Sequence, residues 1–376
     1  MRKRLLIAEL FVYLYNISNV QKSMKRSITQ TLLNILPPEP AHKLRLALLG
    51  GVCHIPTAKW FLGRSLAPRQ STISREVFGV HFDNPIGIAA GFDPNGDYID
   101  ELSTIGFGFI EIGSVIAHAQ PGTPRPRLRR LRTAHSLVDN SGYPSRGLEY
   151  VLNNVRHRTT KTQRITIGCN IGNCTSTPAE QRTKEYLRVF RNMYQYVDLF
   201  VINIACNTAV KPFTPTSRED ILELIEPLFE FRRGQLDYRP ILLKISPDLT
   251  QEQLDEVIDI LIETPLDGIE AVAGSRDIAP NSGGAITGAV LTERAIEMVR
   301  YITEKTEGNY PIIGSGGMMQ PDDIKRMFEA GASLVALNTG LRENGFRLLR
   351  EATKALTTET TTEPQTQEPQ TQDSQQ

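Results

Sequence analysis

Eight short runs of aliphatic residues, separated by stretches with helical periodicity, constrain the fold of this chain more than any other feature. Each run is almost continuously apolar, which is typical of parallel strands that helices cover on both faces. The predicted strands are 86–89, 109–112, 165–170, 199–204, 241–245, 269–272, 311–314 and 334–337. Eight such strands alternating with amphipathic helices predict an α/β fold, the (β/α)8 TIM barrel. An open, doubly wound sheet is the alternative.

Three of the intervening helices have recognisable start signals. Ser217 and Asp220 form a capping-box-like start, and Thr250 can cap the helix that follows the fifth strand. Pro321 suits a first helical turn, and Gly331 marks the end of the same helix. These signals support helices between the strands, as a barrel requires.

Composition divides the chain into four segments. Residues 1–26 are basic and apolar, 27–70 form a helical extension, and 71–356 form the barrel. Residues 357–376 contain no aliphatic or aromatic side chain, so they cannot bury enough surface to offset the entropy of ordering. We therefore predict a disordered C-terminal tail.

The first two segments raise the question of a membrane. Three basic residues at 2–4 precede a short apolar run that Glu9 interrupts, so a spanning helix is not expected. An interfacial amphipathic helix fits this segment, and a soluble N-terminal helix is the alternative. In the extension, two short apolar helices, the second ending at Gly50-Gly51, form either a hydrophobic mouth or a lid on the barrel.

Charge and cysteine content exclude several functional classes. Lys plus Arg equals Asp plus Glu at 42 each, so no net basic charge favours nucleic acid. The four cysteines are too few for a disulfide framework, and they predict a reducing compartment. The six histidines lack the spacing of metal ligands, and we predict no metal site.

Residues suited to binding cluster where the predicted strands end, which is the functional end of such barrels. They are Ala90, Gly91, Ser114, Asn170, Asn203 and Lys244. Lys244 is a cation at the end of an apolar strand, and burying it requires an anionic partner. That partner is either a bound ligand or, as the purely structural alternative, Asp248.

Two glycine-rich turns follow the last two predicted strands. Residues 314–317 read Gly-Ser-Gly-Gly, and residues 338–340 read Asn-Thr-Gly. Barrels of this type often bind phosphate there, through backbone N–H groups and a helix N-terminus. Residues 283–284 and 287–288 offer further N–H donors. The turns predict a phosphorylated cofactor.

Seven motifs, in family order from residue 37 to 353, resemble the quinone-dependent class of dihydroorotate dehydrogenases. They are PEPAH at 38–42, NPIGIAAGFD at 84–93, GFGFIEIGS at 106–114, QPGTPRPRL at 120–128, KISPDL at 244–249, PIIGSGG at 311–317 and AGASLV at 330–335. The resemblance implies oxidation of dihydroorotate to orotate in pyrimidine biosynthesis, with electrons passed to a membrane quinone. It also implies an FMN flavoprotein bound peripherally at the cytoplasmic face of the membrane.

The resemblance also implies roles for individual residues. Those that would line or hold FMN are Ala90, Gly91, Ser114, Asn170, Asn203, Lys244, Thr287, Gly288, Gly316, Gly317, Asn338 and Thr339. Those near the substrate would be Asp139, Tyr143, Asn207 and Thr208. The family's catalytic base lies after the fourth strand, where this chain offers Cys206, provided that its thiol pKa is lowered. A small buried filler is the alternative role for Cys206.

The substrate side departs from the family pattern in several places. The loop after Cys206 lacks a proline, Pro94 replaces a lysine, and Asp139 replaces an asparagine. Tyr143 replaces a phenylalanine, and residues 272–274 read Val-Ala-Gly instead of Thr-Asn-Thr. Losing two hydrogen bonds to a charged ligand would cost ~3–6 kcal/mol, roughly two to four orders of magnitude in affinity.

These departures leave three functional hypotheses. The first is the family reaction with an altered pocket. The second is an FMN-binding paralogue that acts on a different substrate, and the third is a catalytically silent FMN-binding or membrane-attached protein. The scaffold, the cofactor-binding residues and the N-terminal extension all match the family pattern, and this agreement favours the first hypothesis.

Overall fold

The computed structural model describes residues 35–66, 73–157, 165–206, 215 and 217–360. The predicted N-terminal segment at 1–26 and most of the predicted tail lie outside the described residues.

A closed barrel of eight parallel strands forms the centre of the molecule, above a small hairpin. The hairpin consists of β1 (Arg75–Val77) and β2 (Val80–Phe82). The barrel strands, in chain order and in order round the barrel, are β3 (Ile86–Ile88), β4 (Phe109–Val115), β7 (Thr166–Ile171), β8 (Leu199–Asn203), β9 (Ile241–Ile245), β10 (Gly268–Ala271), β12 (Ile312–Ser315) and β13 (Leu334–Leu337).

The predicted barrel is therefore confirmed, and the open sheet is excluded because β13 pairs with β3. All eight predicted strands are present. The largest difference is in β4, which continues to Val115 rather than ending at residue 112.

A three-stranded antiparallel sheet lies at the carboxyl end of the barrel, and the sequence did not predict it. It consists of β5 (Leu128–Leu131), β6 (Ser136–Asp139) and β11 (Ala285–Gly288). The first two strands follow β4 and the third follows β10, so two distant loops combine into one sheet.

Helices surround the barrel, and further helices precede its first strand and follow its last strand. They are α1 (Pro38–Cys53), α2 (Pro56–Leu66), α3 (Ile99–Ser103), α4 (Leu148–Arg156), α5 (Arg182–Met193), α6 (Arg218–Arg233), α7 (Gln251–Glu263), α8 (Thr292–Lys305), α9 (Pro321–Glu329), α10 (Thr339–Asn344) and α11 (Arg347–Thr360). None of the described helices is both long and apolar enough to cross a bilayer.

The predicted helix caps are present. Ser217 accepts a hydrogen bond from the N–H of Asp220, and Thr250 forms a capping box with Gln253. Pro321 is the first residue of α9, as predicted.

Two predicted helix ends are wrong. The helix α1 continues through Gly50 and Gly51 to Cys53, because its contacts with the rest of the fold outweigh the weak helix propensity of glycine. The helix α11 runs to Thr360, past the predicted start of the tail at residue 357, and Thr357 donates a hydrogen bond to the carbonyl of Thr353.

The barrel interior changes from apolar to polar towards the carboxyl ends of the strands. Val201, Leu242 and Ile313 belong to the apolar group that fills the barrel lower down. Above them, strand register places Lys244 beside Asn203 on one neighbouring strand and beside Glu270 on the other. A charged layer therefore lies directly beneath the mouth of the barrel.

Candidate active site

A cavity of about 1090 Å³ opens at the carboxyl ends of the strands. Its walls come from the strand ends, from the sheet of β5, β6 and β11, and from α1. Small-molecule pockets usually measure about 300–1,000 Å³, so this cavity has room for a large ligand.

Most of the predicted site residues lie on the wall of this cavity. The predicted cofactor residues found there are Ala90, Gly91, Ser114, Asn203, Lys244, Thr287, Gly316, Gly317, Asn338 and Thr339. The predicted substrate residues found there are Asp139 and Tyr143. Among the described residues, Asn170, Gly288 and Cys206 are placed behind the wall, and Asn207 and Thr208 lie outside the described residues.

Lys244 is held by two buried carboxyl groups rather than by Asp248. Its Nζ lies 2.6 Å from Oε1 of Glu270 and 3.9 Å from Oε2 of Glu111. Asp248 instead accepts hydrogen bonds from Ser275 and from the N–H of Arg276. The predicted alternative of a Lys244–Asp248 ion pair is therefore wrong, because the lysine pairs across strands and not along its own segment.

Burial and charge act in opposite directions on this group. Burial alone would lower the pKa of Lys244, but the charges of Glu111 and Glu270 outweigh it and the pKa is raised. Burial, reinforced by the charge of Glu111, raises the pKa of Glu270 to about 8, although Lys244 opposes the shift. At neutral pH, Lys244 is charged and Glu270 is largely protonated.

A chain of hydrogen bonds connects this charged layer to the cavity wall. Asn203 donates to Oγ of Ser114 at 3.2 Å, and Ser114 donates to Oδ1 of Asn170 at 2.5 Å. Asn170 in turn donates to Oε1 of Glu111 at 2.8 Å. Asn170 therefore orients Ser114 from behind.

The turn after β12 presents backbone donors to the cavity. Gly316 and Gly317 have φ angles of 95° and 82°, and a Cβ at Gly317 would lie 2.5 Å from the backbone nitrogen of Thr292. Only glycine fits there, because other residues are strained at such φ angles. The N–H groups of Gly316, Gly317 and Met318 donate to no described residue, so they can bind an anion.

The loop after β13 faces this turn from the other side. Thr339 donates to the hydroxyl of Thr287 at 2.9 Å, which joins the barrel to β11. Asn338 donates to the carbonyl of Ala90 at 2.9 Å and accepts from Arg342 at 2.7 Å. The predicted phosphate residues are thus held together in one corner of the cavity.

Cys206 lies behind Tyr143 and is fully enclosed. Burial raises the pKa of its thiol, and hydrogen bonds with Tyr143 and Tyr186 only partly oppose this. The condition set for Cys206 in the sequence analysis, a lowered thiol pKa, is therefore not met. Tyr143 lies on the cavity wall, with its hydroxyl 3.4 Å from Nδ2 of Asn203, so it separates Cys206 from the cavity.

The family departures named above line the same cavity. Pro94, Asp139, Ala273 and Gly274 are all part of its wall. Burial raises the pKa of Asp139, although hydrogen bonds to Ser141 oppose it. This part of the cavity wall therefore carries an acid and several groups without a donor side chain.

A second buried polar group lies where α1 meets the barrel. His42 contributes Nε2 to a 2.7 Å hydrogen bond with the carbonyl of Phe92, so Nε2 carries the proton. Burial, followed by the charge of Arg342, lowers the pKa of His42 well below its ordinary value. Nδ1 of His42 has no hydrogen-bond partner among the described residues. This neutral ring lies on the cavity wall, and its Nδ1 is a buried acceptor without a donor.

The sequence reasoning missed Glu111, Glu270, His42 and Arg342. Glu111 and Glu270 had a signal, because each is a charged residue inside a run that is otherwise apolar. His42 ends the PEPAH motif, but its contact with Phe92 and the position of Arg342 had no signal, because the partners are remote in sequence.

A barrel with a polar cavity at the carboxyl ends of its strands belongs to the class of barrel proteins that bind ligands there. The family model "Dihydroorotate dehydrogenase" matches residues 72–359. Curated relatives named dihydroorotate dehydrogenase (quinone) include that of Christiangramia forsetii, 35% identical over 87% of this chain and 97% of the relative. That of Thermosynechococcus vestitus is 36% identical over 85% of this chain and 91% of the relative.

Solved structures support the same fold. The ligand-free dihydroorotate dehydrogenase of Eimeria tenella superposes with a TM-score of 0.71, at 24% identity, over 79% of this chain and 91% of that chain. By the family model and the curated relatives, the chain belongs to the dihydroorotate dehydrogenase family, and the resemblance found in the sequence is confirmed.

Proposed function

We propose that this protein is an FMN-dependent enzyme that oxidises dihydroorotate to orotate and passes the electrons to a membrane quinone, in pyrimidine biosynthesis. The observation that carries the proposal is the convergence of Lys244, the glycine turn and α1 on one cavity, in a chain of this family. The names of the curated relatives support quinone as the acceptor.

The donor set of the cavity fits FMN. The N–H groups of Gly316 and Gly317 suit its phosphate, and Lys244, Ser114 and Asn203 suit the polar edge of a flat ring. Bound FMN would supply the two-electron chemistry that no side chain provides. Lys244 would stabilise negative charge that reaches the ring edge.

Oxidation removes two electrons and two protons from dihydroorotate, and the quinone takes up the same number. Both hydrogens leave from carbon, one as a hydride that carries the electron pair and the other as a proton that needs a base. We propose Cys206 for this role, with Tyr143 between its Sγ and the cavity. The thiolate of a thiol with a raised pKa is a stronger base, and positioned bases contribute about 10²- to 10⁴-fold to such rates.

The part of the cavity next to α1 suits the quinone. His42 lies on the wall there, and its lowered pKa keeps the ring uncharged, which suits a neutral ligand. The wall beside it includes Leu46 and Ala47, which suit an apolar tail. A quinone arriving along α1 would therefore meet the barrel mouth without crossing water.

We also propose peripheral binding at the cytoplasmic face of a membrane. Large apolar side chains are exposed along the N-terminal helices, among them Leu44, Leu48 and Trp60. Contiguous exposed apolar side chains on helices suit an interfacial position. The free thiols of the described cysteines suit a reducing compartment.

A vesicle experiment tests the membrane surface. The triple variant L44S/L48S/W60S should bind lipid vesicles at least tenfold more weakly than the unmodified protein. Leu236→Ser is the matched control, since Leu236 is fully exposed but lies in the loop after α6. Equal loss in both variants, or no loss in the triple variant, would contradict the proposed surface.

The reaction itself is tested by steady-state reduction of a quinone analogue by dihydroorotate, with Cys206→Ala and Cys206→Ser as variants. We expect dihydroorotate-dependent quinone reduction that falls at least 100-fold in Cys206→Ala. Pro94, Asp139 and Ala273 on the cavity wall favour a second candidate, an FMN enzyme of the same family with a different substrate. Flavin reduced by another carboxylated substrate, but not by dihydroorotate, would favour that second candidate.

A further inference from the structure

Three ionisable side chains meet behind the cavity wall, and we call Glu111, Lys244 and Glu270 the acid–lysine cluster. Lys244 alone belongs to the wall, and the exposed fractions of Glu111 and Glu270 are 2% and 0%. Two carboxyl groups and one ammonium group give a net charge of −1 when all three are ionised. Such a charge is costly to bury, so the position of one proton decides the charge beneath the cavity.

The hydrogen bonds indicate which carboxyl group carries that proton. Both oxygens of Glu111 already accept, one from Asn170 and the other from the N–H of Ala90, each at 2.8 Å. Oε1 of Glu270 accepts from Lys244, but Oε2 of Glu270 accepts from no described residue. Without a proton, Oε2 of Glu270 would be a buried acceptor that receives no hydrogen bond. With a proton, Glu270 can instead donate a hydrogen bond to Glu111.

The groups packed around Glu270 agree with this assignment. Lys244 faces it from β9, Glu111 faces it from β4, and the apolar Ile313 lies beside it on β12. Burial raises the pKa of the nearby Cys169 thiol far above its usual value, so that group stays uncharged. Since burial and Glu111 together raise the pKa of Glu270 to about 8, its titration falls near neutral pH.

We propose that Glu270 is a proton-exchanging residue that sets the charge beneath the redox cofactor, taking up one proton when negative charge arrives beside Lys244 and releasing it when that charge leaves. The inference rests on the proposed function, because it needs a redox cofactor next to Lys244. It adds a positioning role for Glu270, which touches neither substrate nor cofactor.

The direction of the coupling follows from electrostatics. Negative charge at the Lys244 edge of the cavity competes with Glu270 for the ammonium group and repels the ionised carboxylate, so it favours protonated Glu270. Two electrons therefore bring one additional proton from water into the protein, and oxidation returns it. Between the two pKa values of Glu270, with the cofactor oxidised and reduced, the reduction potential should fall more steeply with pH.

Glu270→Gln isolates this effect. Glutamine has the shape of protonated glutamate, can accept from Lys244 and donate to Glu111, and does not titrate. The variant thus fixes the cluster in its neutral state. Glu329→Gln, which removes an exposed carboxylate on α9, is the matched control.

The experiment measures the two-electron potential of the FMN-loaded protein between pH 6 and pH 10 by spectroelectrochemistry. We expect Glu270→Gln and the unmodified protein to agree at low pH. At higher pH, the potential of the unmodified protein should fall more steeply with pH, by the slope of one additional proton per two electrons. At still higher pH, its potential should stay below that of the variant. Plots of potential against pH that run parallel for the two proteins from pH 6 to pH 10 would overturn the coupling.

Infrared spectroscopy of the protein tests the proton without any cofactor. We expect the difference spectrum between the unmodified protein and Glu270→Gln to show a carboxylic acid C=O band near pH 7 that disappears as pH rises through about 8. A difference spectrum without such a band would overturn the assignment to Glu270. Protein that shows the band but takes up no FMN would refute the proposed function and leave the protonated Glu270 standing, so the two failures are distinguishable.

Discussion

Asp139 offers the sharpest test of how the cavity treats an anionic substrate. One of its oxygens, Oδ1, accepts a hydrogen bond from the N–H of Ser141 at 2.8 Å, and its carboxyl group lies on the cavity wall. Asp139→Asn can keep that hydrogen bond through its amide oxygen. Its NH2 group would then replace an acceptor by a donor facing the cavity.

The magnitude follows from this exchange. A hydrogen bond to a charged group contributes about 1.5–3 kcal/mol, and each 1.4 kcal/mol corresponds to a factor of about ten in affinity. We therefore expect Asp139→Asn to bind orotate roughly 10- to 150-fold more tightly than the unmodified protein.

The effect should also depend on pH. Burial raises the pKa of Asp139, so its neutral form can donate a hydrogen bond at low pH, and repulsion grows as pH rises through that pKa. Affinity for orotate should fall with rising pH in the unmodified protein. In Asp139→Asn that decline should be absent, and the two proteins should differ most at alkaline pH.

The assay is the dissociation constant of orotate, measured by calorimetry on FMN-loaded protein, together with KM for dihydroorotate. Asp322→Asn is the control, because it makes the same charge change at an exposed position on α9. Affinities within twofold of one another for Asp139→Asn and the unmodified protein would refute the reasoning, and so would an equal gain in the control.

Further predictions concern the same cavity. Lys244→Met leaves two buried carboxyl groups without their cation, so it should lower the free energy of unfolding by about 3–5 kcal/mol in denaturant titrations. The double variant K244M/E270M should recover most of that free energy. A double variant as unstable as Lys244→Met would contradict this. Because burial raises the thiol pKa of Cys206, the rate of substrate oxidation should still be rising above about pH 8.5, and Cys206→Ser should move that rise to higher pH; a flat profile speaks against Cys206 as the base. Gly317→Ala, at a φ of 82° and against Thr292, should weaken FMN retention at least tenfold in ultrafiltration, and unchanged retention would exclude the turn as the phosphate site. Since the folded-state pKa of Glu270 is raised from 4.5 to about 8, the unfolded chain binds fewer protons between those values, so the free energy of unfolding should fall from pH 5 to pH 8, and less so in Glu270→Gln.

The barrel was predictable because its strands are buried on both faces. Such strands are continuous apolar runs, and β9 and β13 have the predicted bounds to the residue. The sheet of β5, β6 and β11 was not predictable in the same way. Its strands are four residues long, β5 reads Leu-Arg-Arg-Leu, and its third strand comes from a loop far along the chain.

The cavity was partly predictable for a related physical reason. Because parallel strands bring their carboxyl ends to one place, Ser114, Asn203 and Lys244 were expected to meet, and all three line the cavity. The depth of a side chain is not fixed by its strand end alone. Cys206 is enclosed behind Tyr143, which arrives from the loop after β6, and no local pattern encodes that contact.

The partners of Lys244 illustrate the same limit. Asp248 is the acid closest to it in sequence, but strand register places Glu270 directly beside Lys244 on the neighbouring strand. A charge inside an apolar strand was the available signal, and it marks both Glu111 and Glu270. Pairing the three charges required the closed barrel.

Anaerobic mixing of the FMN-loaded protein with dihydroorotate, followed by flavin absorbance, tests the central claim most directly. The structure and the family predict that the yellow colour bleaches on mixing and returns when an oxidised quinone is added. Colour that persists in the presence of dihydroorotate, or purified protein that takes up no FMN, would contradict the claim.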